Sequence, residues 1–272
     1  MVNFTGVTAT WEQWVLLLAD RHFDSVHSDR NLQRQHLDEA IERGALIIEI
    51  GDTFDLMQGR NDRRGSKGSV RPEHKTDDYF TSVIDEAIEW HKPYAHNYLL
   101  MGEGNHETSI TRHAELSVMR HFLQGLKAET GATIHHGAYS GYVTFRFLRG
   151  SGSKYLTPIN LLYHHGSGGN SPVTRGVINT NRRAVIYPDA DIIVSGHLHS
   201  SWVVPLPRQR ISERGIVSES IQHHVSLGTY KRPNLQSGWE AERGFGPPSV
   251  GGVWMRMFQR NGEIKTEFTP AQ

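Results

Sequence analysis

The chain has 272 residues, no cysteine, and 29 Lys and Arg balanced by 29 Asp and Glu to a formal net charge of zero. Lack of cysteine excludes a disulfide scaffold and any thiolate-bound zinc or iron–sulfur site, and no apolar run reaches the roughly 18 residues that would span a membrane. Zero net charge argues against long-range attraction to nucleic acid but leaves local patches open.

Hydrophobic residues at 37% and charged residues at 21% describe a soluble globular protein. The opening Met1-Val2-Asn3-Phe4-Thr5-Gly6 lacks the basic-then-apolar order of a secretion signal, so a cytoplasmic location is expected. The unusual count is 17 histidines, which raises metal binding as a question that position along the chain must answer.

The first element is Trp14-Val15-Leu16-Leu17-Leu18-Ala19, an apolar run too short for a helix and suited to a strand buried on both faces. Residues 28–43 show helical spacing, with Ser28 as N-cap, Leu32, Leu37, Ala40 and Ile41 as the inward face, and Gly44 as the stop. Leu46 to Ile50 reads as a second strand. After a polar stretch over 59–75, Thr76 is expected to cap a helix whose face is Tyr79, Phe80, Val83, Ile84, Ala87 and Ile88. Tyr98-Leu99-Leu100-Met101 is a third strand. One helix over 109–127 is expected to turn Leu116, Met119, Leu123 and Leu126 inward.

The pattern then becomes mostly β. Residues 142–147 alternate like a half-exposed strand, 159–163 and 192–194 are apolar, and the chain from Trp202 onward ends in a hairpin with its turn at Asn261-Gly262. Gly150-Ser151-Gly152-Ser153 reads as a loop rather than a boundary. The expectation is one domain over 1–272 of the α/β class: a four-layer α/β/β/α sandwich of two mixed sheets flanked by helices, with 200–272 completing the second sheet.

Five polar clusters follow five apolar runs: Asp20-Arg21-His22, Gly51-Asp52-Thr53-Phe54-Asp55, Gly104-Asn105-His106-Glu107, His164-His165-Gly166 and Gly196-His197-Leu198-His199. Carboxyl ends of strands in α/β sheets are where ligands bind. Carboxylate, imidazole and Asn carbonyl donors suit divalent cations such as manganese, iron, zinc or cobalt.

In that order, these motifs resemble the signature of the calcineurin-like metallophosphoesterases, and the likeness runs from Asp20 to His199. The resemblance implies a pair of mixed sheets between helices and two divalent metal ions, manganese favoured. It implies that Asp20, His22 and His199 hold the first ion, and that Asn105, His197 and one of His164 and His165 hold the second. Asp52 would bridge the two. Gly166 gives room for close approach and favours His165 over His164. His106 would face the phosphate, oriented by its hydrogen bond to Asp55, and a hydroxide held between ions roughly 3.5–4 Å apart would attack phosphorus. The pairs His135-His136 and His223-His224 fall outside the signature and are not expected to bind catalytic metal.

Arg60, Arg63, Arg64, Lys67, Arg71 and Lys75 follow directly on the second cluster, and Arg175, Arg182 and Arg183 precede the last. Near an anion-binding centre they suggest a substrate larger than one phosphate, with His164, Arg60, Arg63, Arg64, Arg182 and Arg183 as candidate contacts. Trp202, Tyr230 and Trp239 are candidates for stacking on bases, with burial as the commoner fate of such rings. The favoured activity is a phosphodiesterase on an anionic phosphoester, with DNA or RNA among the candidates and no membrane partner. The alternatives are a phosphomonoesterase and a non-catalytic scaffold. Leu56-Met57 and Glu103 depart from the pattern of protein phosphatases in the family. Oligomeric state is not legible.

Overall fold

A computed structural model describes residues 1–56, 68–149, 155–169, 174, 176–232 and 246–271. Among these, twelve strands form two mixed sheets of six, and five α-helices flank them. The first sheet runs β1 (Val2–Val7), β6 (Ser140–Arg149), β7 (Ile159–His164), β8 (Ile192–Ser195), β10 (Val217–Ser226) and β9 (Trp202–Ile211). The second runs β12 (Glu263–Pro270), β11 (Val253–Arg260), β2 (Glu12–Leu18), β3 (Leu46–Glu49), β4 (Tyr98–Met101) and β5 (His135–His136). The helices are α1 (Arg30–Glu42), α2 (Tyr79–His91), α3 (Asn105–Ala114), α4 (Val118–Thr130) and α5 (Asn179–Ile186).

Strand β2 shows why its sequence is apolar without alternation. Val15, Leu17 and Ala19 enter the core between the two sheets, with Ile48, Phe145, Leu161, Val194 and Met255. Leu16 and Leu18 enter the other core, between the second sheet and the helices, with Leu37, Val83, Phe122 and Leu126. A strand covered on both faces has no polar side to display. On the far side of the first sheet, Leu162, Ile193 and Ala190 form a small cluster with Tyr187.

Several boundaries differ from expectation. The N-cap of α1 is Asp29, whose side chain accepts from the Leu32 amide, because Ser28 instead donates to the Arg21 carbonyl. Ile41 is 44% exposed, and Gln33 and His36 take the inward places beside Leu37 and Ala40. Helix α2 starts after Asp78 rather than Thr76. The single helix expected over 109–127 is two, α3 and α4, separated where Glu115 turns left-handed at φ 53°. Strand β1 and helix α5 were not expected. The first is an edge strand anchored by Phe4 on Phe145, Phe147 and Trp11, and the second has Thr180 as its one buried residue. Segment 200–272 does not complete one sheet: β9 and β10 extend the first, whereas β11 and β12 extend the second. No helix among the described residues is long and apolar enough to cross a membrane.

Candidate dinuclear metal centre

The polar clusters meet because β2, β3 and β4 run parallel in one sheet and β7, β8 and β10 run parallel in the other. Their carboxyl ends therefore open at one rim. The turns there are tight. Asp20, His22, Asp52, His197 and His199 have φ of 52°, 46°, 51°, 71° and 52°, in the left-handed region. Each such residue costs on the order of 1–2 kcal/mol against a right-handed backbone, and clustering of that strain marks a functional site. Neighbouring backbone over-determines it. The Asp20 amide donates to the Gly51 carbonyl at 3.0 Å and the His22 amide to the Asp52 carbonyl at 3.0 Å. The Asp20 carbonyl accepts from Thr229 Oγ1 at 2.7 Å and from the Tyr230 amide at 3.0 Å.

Two donor clusters result. Asp20, His22 and His199 each place one ligand atom within 4.8 Å of the others, and Asp52, His165 and His197 do the same. Asn105 joins the second, its Oδ1 lying 2.8 Å from His197 Nδ1 and 3.2 Å from His165 Nε2. The clusters adjoin: His165 Nε2 is 3.2 Å from Asp52 Oδ2 and 4.0 Å from Asp20 Oδ1. His164 faces elsewhere, its Nδ1 accepting from the Gly166 amide at 3.0 Å. Gly166 matters here: a Cβ would lie 2.7 Å from the Gly196 carbonyl oxygen and 2.8 Å from His197 Cβ.

His106 is buried on the first turn of α3. Its amide donates to Asp52 Oδ1 at 3.0 Å, and its Nε2 is 3.7 Å from Asp52 Oδ2. The orienting contact expected from the Asp55 carboxylate is not made. His106 Nδ1 bonds the Asp55 backbone carbonyl, while the carboxylate is 3.9 Å away. The carboxylate instead meets Lys231 Nζ at 2.8 Å and lies 3.0 Å from His22 Nδ1, out of line for a hydrogen bond.

The charges follow from burial and proximity. Burial pushes the Asp52 carboxyl up, but His165 and His106 more than reverse this and hold it well below the usual range. Asp20 is likewise lowered by His199 and His165 against burial. Burial alone would depress His165, yet Asp52 beside it, with Asp20, raises it to about 9. Burial lowers His22 and His197. His106 is raised, Asp52 and Asp55 outweighing its burial.

The donors fit divalent cations. Asp20 Oδ1 and both ring nitrogens of His22 are buried with no hydrogen-bond partner. Orphaned atoms of this kind cost about 1–3 kcal/mol each unless something binds them. Mixed carboxylate, imidazole and amide oxygen donors match manganese, iron, zinc or cobalt.

Four functional side chains escaped the sequence reading. Glu107, third in α3, accepts from the amides of Gly104 at 2.8 Å, Asp52 at 3.1 Å and Phe54 at 3.0 Å, and burial followed by the nearby Asp52 charge pushes it up to about 7. Its signal was present, since Glu at the third helical position is a capping residue. Arg21 turns away from its neighbours into the core and pairs with Glu49 at 2.8 Å, with Gln33 and His91 as further partners. Asp24 accepts from the amides of Asp55 and Leu56 and from Tyr79 Oη. Lys231 had no sequence signal, because only the fold brings it to Asp55.

Of the expected substrate contacts, Arg60, Arg63 and Arg64 lie outside the described residues, as do Lys67, Arg175 and Trp239. Arg182 is exposed and Arg183 half-buried, close enough to His164 to help lower its pKa, after burial itself. Arg71 is turned onto the Ser28 carbonyl at 3.1 Å. Tyr230 is fully buried with its hydroxyl 2.7 Å from His36 Nδ1, so it offers no stacking face. His135 and His136 are exposed on edge strand β5, and His223 and His224 join no donor cluster among the described residues.

No protein-family description and no curated protein matches the chain. Solved structures do. Metallophosphoesterases are among them. One from Sphaerobacter thermophilus is 12% identical, with a TM-score of 0.37 over 96% of this chain and 89% of that one. An uncharacterized Streptococcus pneumoniae protein described as a phosphoesterase is 12% identical, TM-score 0.36, over 97% and 92%. Vacuolar protein sorting 29 from Cryptosporidium parvum is 14% identical, TM-score 0.40, over 95% and 97%. Identities this low and superpositions this loose leave function to the residues of the site.

Proposed function

We propose that this protein is a metal-dependent phosphoester hydrolase of the calcineurin-like kind, acting on phosphodiesters. The observation that carries the proposal is the pair of adjoining donor clusters, Asp20–His22–His199 and Asp52–His165–His197, with orphaned buried atoms between strained turns. Asp20, His22 and His199 would hold one divalent ion, and Asn105, His165 and His197 the other, with Asp52 between them. When bound, the two ions supply positive charge that clamps phosphate oxygens and makes water a nucleophile near neutral pH.

The chain's own groups do the rest. His106 Nδ1 is committed to the Asp55 carbonyl, which leaves Nε2 to hold a proton toward the site. Its raised pKa suits a general acid that protonates the leaving oxygen or stabilises charge on the phosphoryl group. Glu107 ties the Asp52 turn to the start of α3, so that Asp52, Asn105 and His106 hold one geometry. Arg183, near His164, and Arg182 next to it in the chain favour a substrate with charge beyond the scissile phosphate, which a diester such as DNA or RNA supplies.

The test is hydrolysis of bis-p-nitrophenyl phosphate against p-nitrophenyl phosphate with added Mn2+, beside Asp52→Asn. Diester hydrolysis that the variant loses supports the proposal, with DNA, RNA and cyclic nucleotides as the next substrates. A monoester preference replaces it with a phosphatase. No turnover of either after metal reconstitution replaces it with a scaffold.

A further inference from the structure

One corner of the site holds more ligand atoms than the two clusters need. His22, Asp55 and His106 also place donor atoms within 4.8 Å of one another, all three buried. The rings of His22 and His106 meet edge to face with centroids 4.8 Å apart. By donor type and spacing this corner is as able to hold a cation as its neighbours. It shares His22 with the first cluster, and it differs from both in holding a cation of the protein's own: Lys231 Nζ is 2.8 Å from Asp55 Oδ1.

The position of Lys231 is built, not incidental. Its side chain is only 15% exposed. Its amide donates to Thr229 Oγ1 at 3.0 Å, and that hydroxyl donates to the Asp20 carbonyl at 2.7 Å. On either side, Tyr230 receives the Asp29 amide on its carbonyl at 2.8 Å, and the Arg232 amide donates to the His27 carbonyl at 2.8 Å. The loop after β10 is thus stitched to the same turn that carries Asp20 and His22, and its ammonium is delivered to a fixed point.

We propose that Lys231 is a positioning residue that acts as a resident cation for the His22–Asp55–His106 corner. It occupies the Asp55 carboxylate, keeps a divalent ion out of that corner, and so confines bound metal to the two productive clusters. It also explains why His106 Nδ1 donates to the Asp55 carbonyl: the carboxylate is already engaged. The inference rests on the metal-centre reading above, and concerns which donors the ions select.

The test is Mn2+ binding to the metal-free full chain by equilibrium dialysis, for wild type, Lys231→Met, Lys231→Gln, Lys231→Arg and the double variant Lys231→Met/Asp55→Asn. Wild type and Lys231→Arg should bind two ions. Lys231→Met and Lys231→Gln should bind one more, and the added event should vanish in the double variant. Thermal unfolding should show the same order, with a larger Mn2+-dependent rise in Tm for the two uncharged variants. Uncharged variants with the wild-type isotherm overturn the inference. A wild type that binds no Mn2+ overturns the metal-centre reading instead, so the two failures are distinguishable. Because the loop is held through backbone and Thr229, these substitutions leave its anchors in place, and either uncharged variant suffices if the other does not fold.

Discussion

His165 offers the most quantitative handle on the site. In the metal-free protein it is the buried partner of two carboxylates, 3.2 Å from Asp52 and 4.0 Å from Asp20. Those charges raise its pKa from the ordinary 6.5 to about 9 against its burial. A group whose folded-state pKa is raised contributes stability that is fully present below the unfolded value and is lost as pH rises through the folded one. The shift corresponds to about 3 kcal/mol, at about 1.4 kcal/mol per unit. Metal-free wild type should therefore lose on the order of 3 kcal/mol between about pH 6 and pH 9.5, beyond any loss in His165→Gln. Urea unfolding of both proteins in chelator across that range reads the difference. Metal binding requires the neutral imidazole, so the proton must leave, and Mn2+ affinity should rise up to about tenfold per pH unit in that window. The slope should be shallower in His165→Gln. Parallel stability profiles for the two proteins would refute the assignment of His165 as the buried cation.

Other outcomes follow from the same geometry. His106→Ala should cut turnover about 10²–10⁴-fold while Mn2+ stays bound, checked by kinetics beside metal analysis; loss of both ions would remove His106 from its assigned role. Gly104→Ala puts a Cβ 2.1 Å from Asp52 Oδ1 and 2.5 Å from the Asp52 amide nitrogen. It should cost about 1–3 kcal/mol in unfolding experiments and weaken Mn2+ binding by displacing Asp52. Arg21→Met leaves Glu49 charged and buried, so urea unfolding should show a loss of about 3–5 kcal/mol, and Arg21→Met/Glu49→Met should recover much of it.

Much of the site lay in the sequence because its chemistry is local to strand ends. Asp20 and His22, or His197 and His199, are two residues apart and need only one turn to converge, and the apolar runs before them name the strands. The sheet interior was legible for the same reason: Val15 to Leu18 of β2 and Leu46 to Ile48 of β3 are apolar without a break because both faces are covered. What failed depended on distant partners. Ser28 looks like a cap, but the Arg21 carbonyl takes its hydroxyl. The helix expected over 109–127 breaks at Glu115, where no Gly or Pro signals the left-handed turn. The resemblance pairs Asp55 with His106, and no local pattern announces its actual partner Lys231, 176 residues away in the chain. The division of β9 to β12 between two sheets is a question of strand pairing, which apolar periodicity does not encode.

Glu107 binds the amides of Gly104, Asp52 and Phe54 with one carboxylate, and so couples the turn after β3 to the start of α3. None of these amides can reach solvent while the carboxylate stays in place. Their hydrogens should then exchange at a common rate, set by a single opening event in which the rim of the centre releases together. The mouth of the centre would open as one hinged piece rather than fray residue by residue, and a ligand arriving at any part of it would slow exchange at all three.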